Sequence, residues 1–404
     1  MGIEKPWHVS DVELELDKGR VTVILEYEKA ALKCPECGSS SPGYGHKERS
    51  WRHLDTCQYK TILTARIPRI KCSEHGVHQV SIPWAEPGSR FTALFEALAI
   101  DWMKEASKSA VADLLGMSWS EVDTIMERAV KRGLSRRSAL SVGRIGIDET
   151  SFQKRHEYVT VVNDQDRGRV IYVADDRGES SLNGFYESLN EDQLKRINAV
   201  AMDMWDPYIK STVKYVPDAD MKIAFDKYHV AKHLGDAVNK VRIEEHKKLK
   251  SEGRDDLKKT RFLWLMNPEN MDETLWKNFE PLRNSNLKTA KAWAIKELAM
   301  TLWSYVTRGW ALKAWKRWLL WAMRSRLEPI KKAGEMVKRY LWRIVNAIVL
   351  KITNARSEGI NAQIQKLKAR ACGYRNRERF RTAIYFHLGG LDLYPETLKG
   401  AMGR

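Results

Sequence analysis

The chain has 404 residues, 43% of them hydrophobic, which predicts about two to four globular domains and excludes wholesale disorder. Its 69 Lys and Arg exceed its 52 Asp and Glu by 17, an excess that indicates a polyanionic partner, nucleic acid before an anionic membrane surface. We exclude a membrane span and a secretory signal, because no apolar stretch of about 18 residues occurs and the N-terminus lacks an apolar core.

The first segment, to about residue 90, is predicted to form strands and turns. Val21, Val23 and Leu25 alternate after a turn-forming run at 17–19, which predicts a β-hairpin. Prolines and a glycine within 83–88 then interrupt the pattern and indicate a domain boundary.

Two knuckles, CxxC at 34–37 and CxxH at 72–75, lie in this segment. Two-residue spacing lets a tight turn direct two ligands at one tetrahedral ion, and the glycine after each knuckle tolerates the bend. We predict a closed structural zinc site; buried thiols without metal are the alternative, and His53 and His78 are substitute ligands. The ligands expected are Cys34, Cys37, Cys72 and His75.

Five cysteines are too few, and odd in number, for a disulfide scaffold. A reducing, intracellular compartment therefore fits the chain better. Cys57 and Cys372 are left over from the zinc site, and we expect them to lie in the core.

From Phe91 to about Leu140 the apolar periodicity is helical. A helix that ends at Gly116, followed by a helix capped by Ser118 or Ser120, predicts a helix-turn-helix in the basic context of this chain. An ordinary helical hairpin is the alternative. The second helix would bury Val122, Ile125 and Met126 and would present Thr124, Glu127, Arg128 and Lys131 to a DNA groove.

Five short β-branched runs lie between Ile145 and Phe225, with helical stretches before and after the fourth. The resulting order, β-β-β-α-β-α-β, predicts a mixed sheet with helices on its faces. Nearly everything from there to Leu388 is predicted to be helix, broken at Asn267–Pro268 and Glu328–Pro329. This stretch holds nine of the 15 tryptophans. We favour a bundle core for them, with one or two exposed rings left to contact DNA ends.

Asp148 and Asp203 each stand at the end of an apolar run, where a carboxylate is costly unless it binds something. Glu358 lies on a predicted helix, on one polar face with Asn354, Ser357 and Asn361, beside an apolar stripe of Ile360, Ile364 and Leu367. Three carboxylates suit Mg²⁺ or Mn²⁺, and two such ions could support in-line phosphoryl transfer. Acids in solvated loops are the alternative. We do not assign Glu149, Asp175 or Asp206 as ligands, since Glu149 should point to the opposite sheet face.

The ordered set of knuckles, helix-turn-helix, GIDETSF, AVAMDMWDPYI, FDKYHV and ITNARSEGINAQIQKLK resembles the DDE transposases of the ISL-three family of bacterial insertion sequences. The resemblance covers nearly the whole chain and implies an RNase H-like catalytic domain interrupted by a helical insertion. In it, Asp148, Asp203 and Glu358 match the acidic triad, and the two knuckles match the zinc positions. A D-x-x-H block puts Asp226 and His229 near the site, in supporting or DNA-positioning roles.

A basic run with few acids follows Glu358, and we predict that it contacts the phosphate backbone; a generic solvated face is the alternative. The residues concerned are Lys366, Lys368, Arg370, Arg375, Arg377, Arg379 and Arg381.

We therefore expect an α+β multidomain chain. Its parts are a β-rich zinc-binding domain at 1–88, a helix-turn-helix at 89–142, an RNase H-like mixed-sheet catalytic core at 143–226, a helical tryptophan-rich insertion at 227–350, and the rest of the core with the Glu358 helix and the basic tail at 351–404.

The expected function is that of a DNA transposase that binds terminal inverted repeats, cleaves the element ends and joins them to target double-stranded DNA. The expected cofactors are Mg²⁺ or Mn²⁺ at the catalytic site and Zn²⁺ at the knuckles. We expect a homodimer on DNA, in the bacterial cytoplasm and associated with the nucleoid, without a membrane partner. A non-catalytic DNA-binding regulator and an RNase H-fold nuclease that never joins strands are the alternatives.

Overall fold

The computed structural model describes residues 2–28, 32–153 and 157–398, and the chain divides into two compact units. The first unit comprises residues 1–138, 370–372 and 378–404, and the second comprises 139–369 and 373–377. The five domain segments predicted from the sequence are smaller than these two units, and their boundaries stay a prediction.

The first unit is built on a five-stranded sheet of order β1-β2-β4-β3, with β5 paired to β4. β1 and β2 form the predicted hairpin around a turn in which Gly19 is left-handed, with φ 58°. The inner face buries the alternating residues Val21, Val23 and Leu25 under a cluster of tryptophans, as predicted for an amphipathic strand. The strands are β1 (Trp7–Glu15), β2 (Arg20–Tyr27), β3 (Gly43–Arg52), β4 (Lys60–Cys72) and β5 (Gly76–Gln79).

Three helices follow this sheet in the first unit: α1 (Ala93–Glu105), α2 (Lys108–Leu115) and α3 (Trp119–Arg136). Gly116 ends α2 in the left-handed conformation, and Ser118 caps α3 in a capping box with Glu121. The inward residues Val122, Ile125 and Met126 are all buried. The predicted helix-turn-helix geometry is therefore confirmed.

The second unit carries a mixed five-stranded sheet of order β10-β9-β6-β7-β8. β6, β7 and β8 form the predicted antiparallel meander, whereas β9 and β10 run parallel to β6. Helices stand before and after β9, which confirms the predicted order. The elements are β6 (Arg144–Gln153), β7 (Glu157–Asp164), β8 (Arg169–Asp175), α4 (Glu179–Glu187), α5 (Glu191–Arg196), β9 (Ala199–Met202), α6 (Asp206–Tyr215), α7 (Ala219–Lys222) and β10 (Ile223–Phe225).

A helical stretch follows β10, and the predicted breaks are confirmed, because Asn267 caps a 3-10 turn and Pro329 lies in the first turn of a helix. The helices are α8 (Lys227–Ser251), α9 (Arg261–Leu265), α10 (Glu273–Arg283), α11 (Lys288–Thr301), α12 (Arg308–Met323), α13 (Glu328–Leu350), α14 (Ala355–Arg370) and α15 (Arg377–Leu388).

The tryptophans of this stretch divide between core and surface. Trp264, Trp293, Trp315 and Trp318 are buried, which confirms the core interpretation for these four. Three others are exposed: Trp310 at 63%, Trp321 at 39% and Trp342 at 40%.

The predicted fold class is confirmed: an α+β chain with a mixed sheet, a helical insertion, a helix-turn-helix and a β-rich N-terminal region. Among the described residues, none of the helices combines the length and apolar character that crossing a bilayer requires. The prediction that Cys57 and Cys372 lie in the core is wrong. Both are exposed, because each lies in a turn at the surface. The backbone of both is left-handed there, with φ 49° and 53°.

Candidate zinc site and active site

The two knuckles meet in the first unit. Cys34, Cys37, Cys72 and His75 each offer one ligand atom within 4.8 Å of the others. The Cys37 and Cys72 Sγ atoms are 3.8 Å apart, and His75 Nδ1 lies 3.9 Å from Cys34 Sγ and 3.7 Å from Cys72 Sγ. Tetrahedral zinc with bonds of about 2.3 Å to sulfur and about 2.0 Å to nitrogen requires separations of roughly 3.5–3.8 Å. The donor set fits zinc.

Local sequence explains this convergence. The second knuckle is the turn between β4, which ends at Cys72, and β5, and the glycines after the two knuckles, Gly38 and Gly76, have φ 72° and 76°. Backbone and side-chain hydrogen bonds from His75 lower the pKa of Cys72 to about 5, which favours the thiolate that a metal binds. Neither substitute ligand joins the cluster: His78 Nε2 bonds the His75 carbonyl at 2.6 Å, and His53 is buried against a threonine hydroxyl.

In the second unit, three aspartates follow one another across the sheet. Gly146 of β6 pairs with Ala201 of β9, which pairs with Ala224 of β10. Two residues further along these three parallel strands stand Asp148, Asp203 and Asp226. Because the three strands run parallel in this register, the aspartates occupy neighbouring positions across the sheet, Asp203 and Asp226 directly after β9 and β10 and Asp148 within β6.

Helix α14 carries Glu358 and packs on this edge through its polar face. Ser357 is buried, and its hydroxyl accepts hydrogen bonds from Asn163 Nδ2 at 2.8 Å and Gln165 Nε2 at 3.1 Å. A Cβ at Gly146 would lie 2.4 Å from the Ser357 hydroxyl, so only glycine allows the helix this close. Of the predicted apolar stripe, Ile360 and Ile364 are buried and Leu367 is half-buried.

Glu358 itself is exposed on α14. Burial, together with the negative charges of Glu149, Asp203 and Glu358, raises the pKa of Asp148 to about 7. The charges of Asp203 and Glu358 therefore act on the Asp148 carboxylate. In the described residues, however, the three carboxylates do not bring one oxygen each within 4.8 Å, as the zinc ligands do with their own atoms.

Asp226 and His229 each have a defined contact. Asp226 Oδ1 accepts the backbone N–H of Tyr228 at 3.1 Å and thereby caps α8, and its Oδ2 accepts the backbone N–H of Asn354 at 2.6 Å. His229, in the first turn of α8, places Nδ1 3.3 Å from Asp203 Oδ1. One carboxylate thus joins the first helix after β10 to the residue that precedes the Glu358 helix.

Glu149 and Asp206, two nearby acids that we do not assign as metal ligands, have other partners. Glu149 lies 3.7 Å from the Arg177 guanidinium, which in turn stacks over the Trp205 ring. Its carboxylate is still close enough to Asp203 that this charge, after burial, raises the pKa of Glu149. Asp206 begins α6 and pairs with Arg339 at 3.6 Å.

The sequence matches known proteins along most of its length. Residues 145–384, more than half of the chain, match the DDE model of the ISL3 group described as "Transposase". The chain belongs to the ISL3 family of transposases. Residues 31–75 of the transposase match the "zinc-finger of transposase IS204/IS1001/IS1096/IS1165", and residues 80–130 match the "Helix-turn-helix domain of transposase family ISL3".

Two relatives align with nearly the whole transposase. The transposase for insertion sequence element IS1001 of Bordetella parapertussis is 26% identical over 378 residues, covering 92% of this chain and 93% of the relative. The transposase for IS1557 of Mycobacterium tuberculosis is 26% identical over 424 residues, covering 96% of this chain and 94% of the relative.

On the helix-turn-helix of the transposase, the predicted outward residues Thr124, Glu127 and Lys131 are exposed. Arg128 instead is half-buried and pairs with two carboxylates, 3.6 Å from Glu86 and 3.5 Å from Glu96 of α1. A guanidinium held between two carboxylates is less available to phosphate than a solvated one.

The basic run of the transposase is also partly engaged within each unit. Lys366 and Arg375 are exposed. Four other side chains of the run bond protein groups: Lys368 the Ser151 carbonyl at 3.0 Å, Arg370 the Lys104 carbonyl at 3.2 Å, Arg377 the Glu157 and Asp176 carboxylates at 3.2 Å each, and Arg379 the Asp123 carboxylate at 2.7 Å.

Sequence reasoning missed the polar floor under α14, which consists of Gly146, Asn163 and Gln165. Asn163 is fully buried at the end of β7, and Gln165 follows it closely. The sequence does contain a signal for this floor: Asn163 and Gln165 follow an apolar run, and buried amides there need hydrogen-bond partners.

Proposed function

We propose that this transposase cuts the ends of its insertion sequence and joins the freed 3′-hydroxyls to target DNA by metal-dependent transesterification. Asp148, Asp203 and Glu358 are the catalytic carboxylates of this proposal. The observation that carries it is the register of the sheet, which aligns Asp148, within β6, with Asp203, directly after the adjacent parallel strand β9, next to the helix that bears Glu358.

The donor chemistry of this site suits a hard divalent cation. The donors are carboxylate oxygens, which Mg²⁺ and Mn²⁺ prefer, and their mutual repulsion is what a bound cation would offset. Such ions, when bound, activate a water or 3′-hydroxyl and stabilise the leaving oxygen. The chain supplies the positioning: His229 lies with Nδ1 3.3 Å from Asp203 Oδ1, and Asp226 accepts the backbone N–H just before the Glu358 helix.

We further propose that the Cys3His cluster holds a structural zinc and that the zinc-binding region and the helix-turn-helix together recognise the terminal inverted repeats. The fit of the ligand distances to tetrahedral zinc supports the first point. The exposed face of α3 with Lys131, together with the net charge of +17, supports the second. Because two element ends must be joined in one event, we propose a homodimer on DNA. We also propose that it acts in the bacterial cytoplasm, associated with the nucleoid, because DNA is its substrate.

The test compares Asp148→Asn, Asp203→Asn and Glu358→Gln with the control Glu149→Gln. Each change keeps the side-chain size but removes a charge, and Glu358 is exposed, so its helix packing is untouched. Cleavage and strand transfer of a labelled terminal-repeat duplex with Mg²⁺ or Mn²⁺ should fall by at least about 100-fold in the three variants, because metal assistance contributes several kcal/mol.

Binding of the same duplex should persist in all four proteins. Near-native cleavage by Glu358→Gln would contradict the triad, and an equal loss in Glu149→Gln would move the site to the other sheet face. A protein that cuts but never joins would be a nuclease.

A further inference from the structure

The Asp148 carboxylate receives two amides on one oxygen. Asn361 Nδ2 donates to Asp148 Oδ2 at 2.9 Å, and Asn354 Nδ2 donates to the same oxygen at 3.3 Å. The other oxygen, Oδ1, accepts the backbone N–H of Glu149 at 2.9 Å. Both asparagines belong to the segment that carries Glu358, one just before α14 and one within it.

The orientation of each amide is set by the Asp148 carboxylate and, for Asn361, also by the Glu149 backbone carbonyl, to which Nδ2 donates at 3.2 Å. The Oδ1 atoms of Asn354 and Asn361 are buried and accept no hydrogen bond within the described part of the chain. Turning either amide over would leave its nitrogen without the carboxylate and would point oxygen at oxygen. In each asparagine the amide nitrogen bonds a charged carboxylate while the amide oxygen accepts no hydrogen bond from the described residues. The bond to the carboxylate therefore holds the amide in this orientation.

We propose that Asn354 and Asn361 are positioning residues that clamp Asp148, so that one helix both supplies Glu358 and sets the orientation of the first aspartate. This proposal rests on the proposed catalytic role of Asp148. The clamp fixes Oδ2 and offsets the repulsion from the neighbouring carboxylates of Glu149, Asp203 and Glu358. It therefore prepares the site for a cation.

The chain offers a matched control on the same helix. Gln365, one turn beyond Asn361, donates Nε2 to the Thr150 hydroxyl at 2.7 Å and to the Ser151 carbonyl at 3.3 Å. Asn361→Ala and Gln365→Ala therefore each remove side-chain hydrogen bonds between α14 and β6, but only the first touches Asp148. A purely structural role would change thermal unfolding but would leave Mn²⁺ binding and Mg²⁺ dependence alike in the two variants.

The experiment measures Mn²⁺ binding to the full-length protein by titration, cleavage of the terminal-repeat duplex at a series of Mg²⁺ concentrations, and thermal unfolding. Asn361→Ala should weaken Mn²⁺ binding and cleavage by roughly 10- to 100-fold, as expected for a lost hydrogen bond to a charged group, and higher Mg²⁺ should restore part of the activity. Gln365→Ala should change both by less than about threefold. Asn354→Ala should shift in the same direction as Asn361→Ala, to a smaller extent because its bond is longer.

The control Asp148→Asn separates the two proposals. If Asp148→Asn cuts normally, the triad itself fails. If Asp148→Asn is inactive while Asn361→Ala matches Gln365→Ala in Mn²⁺ binding and Mg²⁺ dependence, the clamp alone is refuted. Should Asn361→Ala unfold, Asn361→Asp provides the second variant: it keeps the shape but opposes a carboxylate to a carboxylate, and unaltered Mn²⁺ binding there would also overturn the clamp.

Discussion

Asp226→Asn tests whether one carboxylate holds the Glu358 segment against the end of β10. Asp226 is 8% exposed and uses one oxygen on the Tyr228 N–H and the other on the Asn354 N–H, at 3.1 and 2.6 Å. Asparagine caps helices about as well as aspartate, so the cap on α8 should survive. The loss should fall at Asn354, where an amide nitrogen would face a backbone N–H.

The magnitude follows from the bond that is lost. A hydrogen bond to a charged group contributes about 1.5–3 kcal/mol, and leaving a buried N–H unpaired is costly in itself. Taking about 2 kcal/mol, the segment around Asn354 should open roughly 30-fold more often. Hydrogen exchange of peptides covering 352–360 measures this opening directly, and DNA cleavage should decline with it because Glu358 follows four residues later.

Asp272→Asn is the matched control. Asp272 also caps a helix, α10, through the Leu275 N–H at 2.7 Å, but it is exposed. In Asp272→Asn, hydrogen exchange of the peptides covering 352–360 and the rate of DNA cleavage should stay within about twofold of the native protein. If Asp226→Asn behaved like Asp272→Asn, Asp226 would be a cap alone and the inferred link to the Glu358 helix would be refuted.

Three other outcomes are expected. Cys34→Ser should lower bound zinc and weaken specific binding of the terminal repeats while the second unit stays folded, as metal analysis, gel shift and circular dichroism would report; unchanged end binding would assign the zinc to stability alone. For each tenfold rise in salt concentration, DNA affinity should fall by about 0.9 log units per phosphate contacted, and replacing the exposed Lys366 and Arg375 should flatten that slope more than replacing Arg379, which is paired with Asp123. Burial lowers the pKa of His53 from 6.5 to about 4, so the unfolded chain binds more protons between these values and stability should be lost as pH falls from 6.5 to 4, by up to about 3 kcal/mol; thermal melts of His53→Gln should show a smaller loss over that window.

Local patterns in the sequence were sufficient for the elements and for the polar face of α14. The turn glycine before β2, the glycines after the knuckles and the capping serine at 118 each act on their own neighbours, so the chain within a few residues contains the whole physical cause. Helical spacing likewise put Asn354, Ser357, Glu358 and Asn361 on one face; the two asparagines and the serine bond sheet residues, whereas Glu358 is exposed.

What the tertiary structure alone decided is which distant partner each polar group has. Asp226 bonds a backbone N–H 128 positions away, Arg128 and Arg379 are paired with buried carboxylates, and the place of Gly146 becomes intelligible only under the Ser357 hydroxyl. These contacts depend on which elements become neighbours after folding. Propensity and periodicity determine the face on which a side chain lies, whereas the packing of whole elements determines the group that it meets there.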